Sequence, residues 1–123
     1  MRQGLSNALR TACFSQWLSY FSNAMAHYVY IIESLVDGTF YKGETAMPND
    51  RLRRHNDGLN RSTAPRRPWR LVYLAELPDR SAALKEEARL KRTNKTYLRW
   101  LLQQPTNLLL DPAALSRLAR YAL

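Results

Sequence analysis

Five residues in the middle of this chain carry side chains suited to phosphodiester chemistry: Tyr30, Tyr41, Arg51, His55 and Glu87. Cleaving a phosphodiester calls for a proton acceptor for the attacking water, a fixed cation for the phosphate and, in many enzymes, a carboxylate for a metal. A phenol can act as that acceptor near neutral pH only if nearby positive charge lowers its pKa from about 10. A guanidinium stays charged at any working pH and grips phosphate oxygens in pairs. Arg51 and His55 are four apart, so a helix through them places both on one face. His55 can donate to a phosphate or shuttle a proton near neutrality.

Glu87 is the sharpest of the five. On a helix starting near Ala82, the residues Ala83, Leu84, Ala88 and Leu90 form an apolar stripe. Glu87 falls inside that stripe, whereas Lys85, Glu86, Arg89 and Arg92 point outward. An inward carboxylate is costly unless it meets a cation. Two partners fit that requirement: an arginine in a buried salt bridge, or a divalent metal. Mg²⁺ often takes one or two carboxylates and fills its shell with water and phosphate, so one Glu is enough for such a site.

The elements that must position these groups are legible. Tyr28 to Glu33 is β-rich, and alternation puts Tyr28, Tyr30 and Ile32 on one face. Asp37-Gly38 then signals a hairpin into Thr39-Phe40-Tyr41, with Tyr41 sharing a face with Gly43. Such pairing can bring Tyr30 and Tyr41 together. Pro48-Asn49-Asp50 reads as a helix start, with Asn or Asp accepting from the first free amides, and Gly58 as its stop. Residues 59–68 form a polar, Pro-containing loop. Trp69 to Leu77 is a third strand, and Pro78-Asp79 breaks it. Helices follow over Ala82 to Arg92, capped by Asp79 or Ser81, over Lys95 to Gln103, and from Asp111-Pro112 to about Tyr121.

This ordered set resembles the GIY-YIG nuclease superfamily, of the small standalone kind. Val29-Tyr30 stands at the first motif, Tyr41-Lys42-Gly43 at the second, the Arg51-x-x-x-His55-Asn56 helix follows, and Glu87 lies on a later helix. The likeness covers roughly residues 27 to 100 and extends to the N-terminal cleavage domain of the bacterial excision-repair nuclease. It implies that Tyr30 and Tyr41 line an active site, Tyr30 as general base or orienter of the water. It implies that Arg51 holds the phosphate, with His55 beside it, and that Glu87 is the metal ligand. Lys42 departs from the common Ile of the second motif, and Arg99 stands near the place where many members carry an Asn.

Composition agrees with a nucleic-acid partner. The 123 residues carry a formal net charge of +9, and residues 25–103 hold fifteen Lys or Arg against nine Asp or Glu. Nucleic-acid contact is expected from Lys42, Gly43, Arg54, Arg61, Arg66, Arg67, Arg70 and Lys91. Trp69 among these arginines is either a core anchor or a base-stacking platform. An apolar fraction of 46% marks a globular chain. A single cysteine excludes an intramolecular disulfide and makes a reducing, cytoplasmic setting the default. No apolar run approaches the length of a membrane span. There is no Walker loop, no GxSxG and no zinc-type Cys/His cluster.

The reading that emerges is an α/β (α+β) fold: a small three-stranded, mostly antiparallel sheet flanked by helices, with the third strand beside the hairpin. Residues 1–24 are set apart as an N-terminal extension or artefact, 25–103 as the nuclease-like domain and 104–123 as a C-terminal helical extension. The expected activity is hydrolysis of phosphodiesters in DNA with one Mg²⁺ or Mn²⁺, in repair or recombination. Sequence choice is low or supplied by a partner protein or a homodimer. The rival is a non-catalytic DNA- or RNA-binding module on the same fold.

Overall fold

The computed structural model describes residues 26–116. The extension expected over residues 1–24 and the helix end expected near Tyr121 lie outside them. Three strands form one sheet: β1 (His27–Ser34), β2 (Phe40–Thr45) and β3 (Trp69–Leu77). Both pairings are antiparallel and the order is β2-β1-β3, so β1 is central. Strand β1 is apolar on both faces because both are covered: Val29 and Ile31 are buried on one side, Tyr28, Tyr30 and Ile32 on the other. A bulge between Ile31 and Ile32 interrupts the β1–β3 register.

Helices cover both faces. Helix α1 (Pro48–Asn56) lies with Leu52 against the Tyr30 face. Helices α2 (Arg80–Leu90) and α3 (Lys95–Leu101) bury Ala83, Leu90, Leu98 and Leu101 against Val29, Ile31 and Tyr73. The hairpin turn is longer than a two-residue Asp-Gly turn. Ser34 and Thr39 close it, and Gly38 takes a left-handed φ of +76°. Ser34 Oγ accepts from the Val36 and Asp37 amides and donates to the Arg66 carbonyl, tying this turn to the loop before β3.

Helix starts differ in chemistry. The expected Asn or Asp cap at 48–50 is not what begins α1. Met47 occupies the cap position without a side-chain bond, and Pro48 is the first helical residue, where its missing N–H costs nothing. Asp79 caps α2 by accepting from the Ala82 amide at 2.8 Å, and Asn94 caps α3 by accepting from Tyr97 at 2.8 Å. Gly58 stops α1 at φ +77°.

The apolar stripe expected on α2 is rotated in the structure. Ala83 and Leu90 are buried, whereas Leu84 is 39% exposed and Ala88 is exposed. The buried line runs through 83, 86, 87 and 90, so Glu86 as well as Glu87 is half-buried. Leu84 instead lines a shallow depression with Arg80, Ser81, Lys85 and Ala88.

Residues beyond α3 also join the core. Asn107 is buried, donates to the Val72 and Leu102 carbonyls, and accepts from the Leu74 and Leu109 amides. The bonds to Val72 and Leu74 occupy backbone groups on β3, a strand at one end of the sheet. No helix among the described residues is long and apolar enough to cross a membrane.

Candidate active site

The site is built around Tyr30. In the hairpin, Tyr30 pairs with Gly43 and Ile32 with Tyr41, so the two tyrosines are diagonal neighbours on one face. Their ring centroids are 6.4 Å apart. Helix α1 places His55 over both: its ring lies 5.8 Å from Tyr30 and 5.1 Å from Tyr41. The Tyr30 hydroxyl is hydrogen-bonded to His55 Nε2 at 2.8 Å, and His55 Nδ1 is hydrogen-bonded to Thr63 Oγ1 at 2.7 Å. His55 is fully buried.

Gly43 leaves room for this arrangement. A side chain there would collide with the Tyr30 ring, whose Cε1 lies 2.8 Å from where a Cβ would sit. The tyrosine ring itself thus makes a close approach to the Gly43 backbone.

The electrostatics run opposite to the expectation for Tyr30. Burial pushes its hydroxyl up to about 12, and the neighbouring Tyr41 adds to the rise. Arg51 opposes this by hydrogen bond and charge, and Glu87 adds a smaller upward push. One guanidinium does not offset the loss of solvent, so Tyr30 stays a neutral phenol. His55 moves the other way, down to about 4: burial is the largest cause, followed by the positive charges of Arg51 and Arg54. It is a neutral imidazole at neutral pH.

Arg51 and Glu87 both bear on the Tyr30 hydroxyl, the guanidinium lowering its proton affinity and the carboxylate raising it slightly. Arg51 is steadied by donating Nη1 to the Glu44 carbonyl at 3.5 Å. Glu44 itself keeps a buried carboxylate oxygen without a hydrogen bond, within 3.6 Å of His27 Nε2.

The Glu87 side chain is only 17% exposed, and the ion pair it makes is with Lys91 on its own helix at 3.6 Å. That lysine is 56% exposed and beyond direct hydrogen-bonding distance, so it can swing into water. Among the described residues no arginine pairs with the carboxylate. Among the described residues no three His, Cys, Asp or Glu cluster as a metal cage. One sheltered hard-oxygen donor at Glu87 suits an ion such as Mg²⁺, which keeps most of its own water.

Arg54 on α1 is exposed, as are Arg61, Arg66, Arg67 and Arg70. Arg66 donates to Asp37 at 3.1 Å, Arg70 to Glu33 at 2.9 Å, and Arg67 to the Ala64 carbonyl at 3.0 Å. Lys42 pairs with Ile31, on the sheet face opposite Tyr30. Trp69 is a core anchor: it is buried and its indole donates to the Thr63 carbonyl at 2.9 Å. Arg99 is exposed, and Asn94 serves as a helix cap.

Sequence reasoning assigned no role to Thr63 or to the Asn56 side chain. Asn56 accepts from the Trp69 amide at 2.6 Å and donates to its carbonyl at 3.0 Å, clamping α1 to the start of β3. His55 and Trp69 both lean on Thr63, which is 1% exposed. A Ser/Thr run in a polar loop carries no signal of such burial.

The profile of the GIY-YIG catalytic domain matches residues 26–100. The chain belongs to the GIY-YIG family. Similar proteins include a UPF0213 protein of Syntrophus aciditrophicus, 38% identical over 80 residues that cover 63% of this chain and 91% of the other. A UPF0213 protein of Enterococcus faecalis is 36% identical over 59% of this chain and 85% of its own. A Structure-specific endonuclease subunit SLX1 homolog of Leishmania infantum is 38% identical over 65% of this chain, but over only 11% of its own length. The solution structure of a UPF0213 protein from Bacillus halodurans is 30% identical, covers 73% of this chain and 92% of that one, and superimposes with a TM-score of 0.44.

Proposed function

We propose that this GIY-YIG domain is a divalent-metal-dependent endonuclease that hydrolyses phosphodiester bonds in DNA. The carrying observation is the convergence on one hydroxyl. His55 Nε2 lies 2.8 Å from Tyr30 Oη, and Tyr41, Arg51 and Glu87 all act on its proton affinity. DNA rather than RNA is the substrate that the family implies.

In this reading Arg51 grips a non-bridging oxygen of the scissile phosphate and neutralises the charge that develops there. The attacking water gives its proton to Tyr30 Oη as Tyr30 passes its own to His55 Nε2. The water oxygen forms the new bond to phosphorus and the bond to the leaving oxygen breaks. No free phenolate is needed, in keeping with a hydroxyl pushed up to about 12. His55 starts as an empty acceptor because burial, Arg51 and Arg54 hold it neutral. An incoming phosphate offsets those two positive charges, so His55 becomes a stronger base as substrate binds. A divalent cation held by Glu87 would supply Lewis-acid stabilisation to the phosphate and the leaving oxygen. Arg54, exposed and close enough for its charge to act on His55, and the exposed Arg61 would meet flanking phosphates.

The test is nicking of supercoiled and branched DNA, and of RNA, with Mg²⁺ or Mn²⁺. The native chain should cut, while Glu87→Ala and Tyr30→Phe should each lose at least about 10²-fold. Cutting that survives in both variants overturns the site.

A second reading, a non-catalytic nucleic-acid module, is favoured by one observation: Glu87 already has a cationic partner, Lys91, at 3.6 Å. Binding with no cutting under any divalent ion would select it.

A further inference from the structure

Tyr30 and His55 can pass a proton in the required direction only if His55 Nε2 is bare, since a proton there would make the ring a donor to the tyrosine. Which nitrogen of a neutral imidazole carries the proton is set by the partner of the other nitrogen. Here that partner is Thr63 Oγ1, 2.7 Å from Nδ1. A threonine hydroxyl has one proton to give. The Thr63 hydroxyl donates it to the Asn60 carbonyl, at 3.4 Å, leaving its lone pairs for His55. At the other end of the path the Tyr30 hydroxyl lies 2.8 Å from His55 Nε2, within reach to donate its proton there.

We infer that Thr63 is a positioning residue that holds His55 as the Nδ1–H tautomer and so sets the direction of the Tyr30–His55 proton path. The inference rests on the endonuclease reading for its consequence, but the tautomer itself is a property of the resting protein. Thr63 is well placed for the task. It is buried, its amide bonds to the Asn60 carbonyl at 3.2 Å, and its carbonyl is held by the Trp69 indole at 2.9 Å. The hydroxyl is therefore aimed by backbone on both sides, not by its own rotamer alone. Asn56 adds to this by clamping α1, which carries His55, to the backbone of Trp69.

The experiment is side-chain ¹⁵N NMR of the full chain at neutral pH. The chain has two histidines, and a His27→Gln variant assigns the signals. The native protein should show His55 protonated on Nδ1 and bare on Nε2. Thr63→Val keeps the shape without the hydroxyl and should shift the population to a mixture or to Nε2–H. Thr63→Ser should restore the native pattern. In nicking assays Thr63→Val should lower kcat at least tenfold with KM within twofold, and Thr63→Ser should recover most of it. A native His55 protonated on Nε2, or a tautomer unmoved in Thr63→Val, overturns the inference, and the first of these needs no variant to fold. If the tautomer shifts as expected while the native chain cuts no nucleic acid, the Thr63 inference stands and the endonuclease reading fails.

Discussion

Tyr30 sits directly across the hairpin from Gly43, and its ring occupies the space that any side chain at position 43 would need. The pairing makes the glycine part of the site without giving it chemistry. Gly43→Ala puts a methyl within 2.8 Å of Tyr30 Cε1, so the ring must shift. Displacing a reacting group by about 1 Å can cost about 10²-fold in rate. The variant should lose nicking activity by roughly that factor, while overpacking lowers stability by about 1–3 kcal/mol. Plasmid nicking and urea midpoints read the two effects, and a native nicking rate would show that the position of Tyr30 does not matter.

The depressed His55 makes stability depend on pH. Its folded value is about 4 against an ordinary 6.5, so between these limits the unfolded chain binds more protons there than the folded one. Stability from this group is therefore complete above about 6.5 and declines as pH falls toward 4. Carboxylates titrate in the lower part of the same window, so the informative quantity is a difference. The native chain should lose more stability than His55→Gln between pH 7 and 4.5, measured by urea unfolding. Parallel profiles would mean that His55 titrates like a solvated histidine.

Glu87 and Lys91 can be separated by mutation. Glu87→Gln keeps the shape, removes the charge and should abolish metal-stimulated cutting and weaken Mn²⁺ binding. Lys91→Ala removes a partner that is 56% exposed, and such pairs contribute at most about 1 kcal/mol. Its unfolding midpoint should barely move, and its Mn²⁺ affinity should match or exceed that of the native chain. Relaxation enhancement by Mn²⁺ reports both. Mn²⁺ affinity falling in Lys91→Ala to the level of Glu87→Gln would tell against a metal-binding role for the carboxylate.

Asn107 offers a control remote from the chemistry. Its four backbone hydrogen bonds, at 2.8 to 3.2 Å, include two to β3. Asn107→Ala strands several buried polar groups, at about 1–3 kcal/mol for each left unsatisfied. Expression and thermal unfolding should show a markedly destabilised protein. Removal of residues beyond 103 should behave alike, and a truncated chain as stable as the native one would contradict the structural role described for this segment.

Much of this molecule was legible because its signals are local. The alternation of Tyr28, Tyr30 and Ile32, the Gly58 stop and the Asp79 cap depend on a few neighbouring residues, and each appears as read. Arg51 and His55 share a helix, as their spacing required. Glu87 is sheltered as expected, although by a rotated stripe in which Leu84 faces out and Glu86 turns partly in.

What packing alone decided is the chemical state of those groups. From the sequence, Tyr30 had to be lowered by positive charge to serve as a base; with α1 covering the sheet, loss of solvent outweighs Arg51 and raises it instead. The partner of His55 lies in a loop eight residues further on, and the bonds of Asn107 reach back 33 and 35 residues to β3. Residue type and spacing determine which groups can meet. Solvent exclusion and hydrogen-bond direction depend on every element that closes over them, and these exist only in the folded chain.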